Sequence, residues 1–280
     1  MPTTHSSAQQ ARRLIADRLR ELRVLAELAG NEHARLCGWH PAKTSRIENN
    51  KAMPSADDIR TWCRVCGTVD QTDDLIASLR AAEGMWVEWR RMERQGLRQA
   101  QEAIKPLYER TKRFRAYSPW LVSGMIQTPD YTQQVLHSIQ QRRGLPDDVD
   151  EALAARVDRQ TLLTEGQRVF AFILEESVLR SGVVDSTVMA GQLAHLLDIG
   201  TLPNVSLGII PLRFGRSHLP VEGFWIYDAA QVNVELVSGY LTVTQPSEID
   251  MYAKTFSSLA DMAVYGAKMR ALVTAASNAP

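Results

Sequence analysis

Apolar residues recur at three- and four-residue intervals through the first eighty positions. Leu14, Ile15, Leu19, Leu22 and Leu25, with Arg18 in the same spacing, predict a helix over 11–28 that packs through these positions. A second helix is predicted over 30–37 and a third over 41–49, where Pro41 suits a first helical position because its missing N–H would have no partner there. Asn49, Asn50 and Lys51 end that helix. Ser55 with Asp58 has the form of a capping box and starts a fourth helix running to about residue 66, which Gly67 ends; residues 70–83 give a fifth. Five short helices within 10–83 predict a small all-α unit.

Residues 84–116 read as a basic helical connector. Residues 85–115 carry nine Lys and Arg against four Asp and Glu, Pro106 marks a boundary or kink, and Trp86, Trp89, Leu97 and Leu107 supply an apolar stripe. From 117 to 280 the pattern changes. Helices are expected at 149–164, 189–197, 247–259 and 261–276, and short strands at 169–174, 205–210, 223–227 and 232–237. Strands mixed with helices, without regular βαβ alternation, predict an α+β domain with a mainly antiparallel sheet.

Charge sharpens this division. The chain is formally neutral, but residues 1–116 hold 21 Lys and Arg against 15 Asp and Glu, and the remainder holds 11 against 17. A basic front and an acidic back suit a chain whose first part meets phosphate and whose second part avoids it. No apolar run reaches the ~18–20 residues of a membrane span, and the first residues lack the apolar core of a signal peptide. Three cysteines fit a reducing compartment, so the expected location is cytoplasmic, on the nucleoid.

The turn Cys37-Gly38-Trp39 joins the second and third helices as in a helix-turn-helix, which presents one helix to the DNA major groove. Ala34, Leu36, Trp39, Thr44 and Ile47 fall where these helices pack on the first. Arg23 and Glu48 are placed to pair and tie first helix to third. His40, Ala42, Lys43, Thr44 and Arg46 on the third helix, with Asn31, Asn50 and Lys51 beside it, are the candidate DNA contacts. Arg and Lys suit the O6 and N7 of guanine. Thr44 therefore carries two expectations at once, packing and contact.

The run His40-Pro-Ala-Lys43-Thr-Ser45-Arg46-Ile47-Glu48-Asn-Asn50 resembles the third helix of the XRE family, the lambda and 434 repressor and Cro type, which reads S-x-x-K-x-S-R-I-E-x-G. His40 and Pro41 stand where that family often has Ser and Gln, and Gly30 stands where it has a phosphate-touching Gln. The lambda-repressor-like fold is implied; the operator preference is not. Further on, Ser123-Gly-Met-Ile-Gln127-Thr128-Pro-Asp-Tyr131 is similar to P-G-L-L-Q-T-x-x-Y, and Arg156-Val-Asp-Arg159-Gln160 to R-x-x-R-Q. Phe172 to Glu176, Gln192-Leu193, Pro203 to Pro211, Gly223-Phe224 and Val234-Glu235 follow in order. Together they resemble the C-terminal domain of uncharacterised function in actinobacterial, WhiJ-like regulators.

That resemblance implies transcriptional regulation through a double-stranded DNA operator, with a small partner protein encoded next door; it supplies no ligand, and an unidentified small-molecule effector is a further candidate partner. A homodimer on a roughly palindromic operator is expected. Gln127, Tyr131, Arg156, Arg159, Gln160, Glu175 and Glu176, polar residues amid apolar strands, are the candidate ligand or partner residues; the competing reading makes them a paired scaffold.

Three other function classes compete with this reading. No G-x-S-x-G, P-loop, G-x-G-x-x-G or H-E-x-x-H motif is present, and Glu175 and Glu176 are adjacent and point apart, so no catalytic residue is expected. Cys63-x-x-Cys66 with His33 and Cys37 admits a zinc- or redox-responsive regulator, but helical spacing favours a buried pair, so neither metal nor cofactor is expected. A protein-interaction scaffold is the last alternative; it predicts no salt-dependent DNA affinity.

Overall fold

A computed structural model describes residues 7–84, 86–88, 96–212, 215–237 and 239–277. It divides into two compact units, Met1–Val87 and Glu88–Pro280.

The first unit is all helical apart from the strand at its end. It comprises α1 (Ser7–Leu25), α2 (Gly30–Leu36), α3 (Pro41–Glu48), α4 (Ala56–Val65), a 3-10 turn at Val69–Gln71, and α5 (Thr72–Gly84). Ile15, Leu19, Leu22, Ile47, Ile59, Trp62, Cys63 and Leu79 form its core. Trp62 is fully buried and donates its indole N–H to the Leu19 carbonyl at 2.9 Å, so the largest core residue is also satisfied as a donor. Leu14 and Leu25, expected on the packed face, are instead exposed, 63% and 69%. At 3.6 residues per turn both lie ~90° to one side of the stripe formed by Ile15, Leu19 and Leu22. Leu36 is likewise exposed rather than packed on α1. The capping box at Ser55 and Asp58 forms in both directions, at 3.1 and 3.0 Å.

The strand β1 (Trp86–Glu88) straddles the division between the units. Then come α6 (Leu97–Ala103), α7 (Lys105–Arg110), β2 (Arg113–Ser118), α8 (Pro129–Arg143), α9 (Val149–Gln160), β3 (Val169–Glu175), α10 (Ser186–Ile199), β4 (Val205–Ile210), β5 (Phe224–Tyr227), β6 (Gln231–Glu235), β7 (Gly239–Val243), α11 (Pro246–Met262) and α12 (Gly266–Ser277). Of the expected connector, Trp89 lies outside the described residues, as does the Trp86 side chain. Leu97, Leu107 and Tyr108 from that stretch are buried in the second unit.

Six strands of the second unit run in the order β7-β6-β5-β2-β3-β4. The pairings β6–β7, β5–β6 and β2–β5 are antiparallel, while β2–β3 and β3–β4 are parallel. The sheet is thus mainly antiparallel in an α+β chain, with a parallel half linked through α8–α9 and α10. Side chains alternate by face. Phe114, Phe170, Phe172, Leu207 and Ile209 pack with residues of α8, α10 and α12, whereas Tyr117, Ile173, Phe224, Ile226 and Val234 pack with α11. The sheet is therefore covered on both faces, which explains why β3 and β4 read as nearly continuous apolar runs.

Candidate nucleic-acid interface

The helix-turn-helix is built from α2, the turn at Cys37-Gly38, and α3. Gly38 has φ 71°, a left-handed conformation open to glycine and costly for a side chain with Cβ. His40 has an extended backbone and caps α3, its Nδ1 accepting the Ala42 N–H at 3.2 Å. At the other end Asn50 takes φ 53°, a left-handed turn that asparagine tolerates, and returns its N–H to Ile47 O at 3.0 Å. His40 and Asn50 therefore shape the two ends of the helix.

Beneath the turn lies a polar-aromatic cluster that the spacing of apolar residues did not announce. His33 is fully buried, with ring centroids 4.0 Å from Trp62 and 6.0 Å from Trp39. Its Nδ1 lies 3.4 Å from Thr44 Oγ1, and its Nε2 lies 3.5 Å from Cys37 Sγ. Burial pushes the imidazole down to about 4, so the ring is neutral at pH 7. The same burial raises the Cys37 and Cys66 thiols to about 11. Cys63 is fully buried in the core.

Thr44 is 1% exposed and holds the hydroxyl against His33, so its expected DNA contact is corrected: its side chain faces inward. Arg23 grips Glu48 with two contacts, Nε to Oε1 at 2.5 Å and the terminal nitrogen to Oε2 at 3.1 Å, and also donates to the Leu28 carbonyl at 2.6 Å. Side-chain exposures of 12% and 11% make this a largely desolvated bidentate pair that joins α1, the α1–α2 link and α3. Lys43 is only partly free. Its Nζ lies 2.6 Å from Asp58 Oδ1 at the start of α4 and 4.4 Å from the Trp39 ring centroid. The Lys43 hydrogen bond is the largest influence holding the Asp58 carboxyl below its usual range, against the opposing effect of burial. Arg46 is exposed on α3 and has no ion pair or side-chain hydrogen bond among the described residues; Asn31, Ala42 and Lys51 are exposed as well.

The polar residues of the second unit fall into two separate sets. Gln127 is the hub of one: it donates to Val122 O at 2.7 Å, and its Oε1 accepts from Thr132 Oγ1 at 3.0 Å and from Arg156 at 3.1 Å. Gln160 donates to the carbonyls of Gly124 and Gln127, at 2.8 and 2.9 Å. Tyr131 is buried and its hydroxyl accepts the Val122 N–H at 3.3 Å. Arg159 donates to the carbonyl and the side chain of Gln101, at 3.1 and 2.9 Å, a partner without any signal in the sequence. Glu175 and Glu176 belong elsewhere and diverge. Glu175 accepts from Tyr117 at 2.7 Å and from both terminal nitrogens of Arg216, at 2.6 and 2.8 Å, whereas Glu176 accepts the Leu212 N–H at 2.9 Å. The Tyr117 phenol is raised by burial first and by the carboxylate second.

A compact helical unit with a glycine turn, a capped second element and an exposed arginine on it is a helix-turn-helix, and residues 14–79 match the family model described as a helix-turn-helix domain. Residues 101–275, more than half of the chain, match the model described as a domain of unknown function (DUF5753), and the chain belongs to that family. No curated protein matches the chain. Among the described residues no helix is long and apolar enough to cross a membrane.

Proposed function

We propose that this chain is a transcriptional regulator of the XRE type, WhiJ-like in its two-part organisation, that reads a DNA operator through α3. The observation that carries the proposal is the contrast along that helix. Arg23–Glu48 and Thr44–His33 fix its inner side, while Arg46 stands exposed on the outer side, without an ion pair among the described residues. A guanidinium held this way on a rigid helix suits bidentate contact with guanine in the major groove. Lys51 and Asn31 are the accompanying phosphate contacts, and Ala42 sits close enough to the exposed face to touch a thymine methyl group. Lys43 shares its charge with Asp58 and contributes less to base reading. His40 and Asn50 act through the shape of the helix ends.

One such head covers a half-site, so a homodimer on a roughly palindromic operator, with half-sites ~34 Å apart, completes the reading. The second domain serves sensing, dimerisation or contact with a small partner protein. The test is fluorescence anisotropy of the full chain on DNA from upstream of its own gene and on a scrambled duplex. A preference for the first that weakens with salt is expected; equal, salt-insensitive signals would favour a protein-interaction scaffold.

A further inference from the structure

A cavity of about 240 Å³ lies wholly within the second unit, between α6–α7, α8, α9 and the β5–β6 hairpin. Tyr108, Trp225 and Tyr227 give it aromatic walls, and Trp120, 70% exposed, stands at its mouth. Arg156 and Arg159 line the same space. Arg159 is 6% exposed; its guanidinium lies 4.8 Å from the Tyr108 ring centroid and donates only to Gln101, and its Nε has no partner. Arg156 donates to the side-chain oxygens of Gln101 and Gln127, at 3.2 and 3.1 Å. Every acceptor is a neutral amide, and among the described residues neither arginine has an ion pair.

A buried and a partly buried cation side by side, answered only by amides, are costly unless an anion completes them. Burial, and then the charge of Arg159, pushes Arg156 down to about 10. A second orphan points the same way: the buried Ser123 hydroxyl lines the cavity without a partner. Glu235 also lines it, and so does Arg143, which has a partner of its own. Arginines outnumber Glu235 in this lining, which favours an anion, and the aromatic walls favour an anion that carries a ring over phosphate. The volume lies near the low end of the ~300–1,000 Å³ range of sites for drug-sized ligands, which suits a small ligand.

We propose that this cavity binds a small aryl carboxylate, its carboxylate received by Arg156, Arg159 and Ser123 and its ring held among the aromatic walls. The proposal rests on the sensing role suggested above for the second domain and supplies the ligand class. Gln101 and Gln127 orient the two guanidiniums, so the hydrogen-bonded scaffold and the binding site are one construction.

The experiment is ligand-observed NMR and calorimetry on the full chain with phenylacetate, 4-hydroxyphenylacetate and indole-3-acetate, each beside its uncharged amide, and with inorganic phosphate. Saturable binding of at least one acid, about tenfold or more tighter than its amide, is expected. Arg156→Gln should abolish the preference for the acid, and Trp120→Ala, at the exposed mouth, should weaken acid and amide alike. Circular dichroism confirms that each variant folds. No binding by any acid, equal binding of acid and amide in the native chain, or tighter binding of phosphate would overturn the proposal. Anisotropy on operator DNA in the same samples separates the two readings. Acid binding that leaves DNA affinity unchanged supports the ligand class and refutes its sensory use, while absent acid binding with intact DNA affinity refutes the ligand class alone.

Discussion

The Nζ of Lys43 lies 2.6 Å from the Oδ1 of Asp58, so the first turn of α4 holds a cation that stands on α3. Asp58 also closes the capping box with Ser55, and Lys43 covers Trp39. The two basic residues of α3 are therefore unequal. Lys43→Ala should lower the stability of the first unit by ~0.5–1 kcal/mol, seen as faster amide exchange across α3 and α4. Arg46→Ala should leave that exchange unchanged. Equal exchange in the two variants would contradict the assignment.

Arg23 and Glu48 are nearly desolvated, and removing one partner strands the other. Arg23→Met should destabilise the first unit by ~3 kcal/mol, because Glu48 keeps its charge without the fork that satisfies it. Hydrogen exchange resolved to residues 15–79 measures this directly. Protection equal to that of the native chain would show that α1 and α3 are held together by other means.

His33 gives the first unit a pH dependence with a definite sign. Its folded value of about 4 is below the ordinary 6.5, so the unfolded chain binds the proton first. The stabilisation is full above pH 6.5 and is lost as the pH falls from 6.5 to about 4, by up to ~3 kcal/mol. Asp58, held below its ordinary 3.8, loses its contribution only at lower pH, below this window. His195 in the second unit is also lowered by burial, so the native chain is compared with His33→Gln. The difference between their urea midpoints should shrink between pH 6.5 and 4; a constant difference would show that the buried ring is not the cause.

Glu175 is 4% exposed and is answered by Tyr117 and Arg216. Arg216→Met leaves a buried carboxylate with one phenol donor and should destabilise the second unit by ~3 kcal/mol, against ~1–2 kcal/mol for Tyr117→Phe. Urea denaturation monitored by exchange in β2 and β3 tests the order; the reverse order would assign the charge balance to another group.

Local signals made much of this molecule legible. Pro41, Gly67 and the Ser55–Asp58 pair punctuate helices by mechanisms that act within a few residues, and the structure starts and stops its helices there. The apolar runs at β3 and β4 likewise announced strands. The parallel pairing of β3 with β2 and of β4 with β3 was not legible, because α8 and α9 intervene in the first case and α10 in the second, and strand order is settled by long-range packing. Thr44 shows the limit of face assignment on a helix of two turns: whether it meets DNA or His33 depends on a histidine eleven positions back. Gln101 and Arg216 carry no motif at all. Their roles come from tertiary neighbours, Arg156 and Arg159 for one and Glu175 for the other.

The central claim is that α3 reads bases through Arg46. Anisotropy of the native chain and of Arg46→Ala, on the upstream duplex and on scrambled DNA between 50 and about 200 mM salt, tests it most directly. The native chain should show log affinity falling linearly with log salt and a clear preference for the upstream duplex. Arg46→Ala should lose ~1–3 kcal/mol on that duplex alone, with the fold intact. Identical affinities of the two proteins for the upstream duplex would contradict the account.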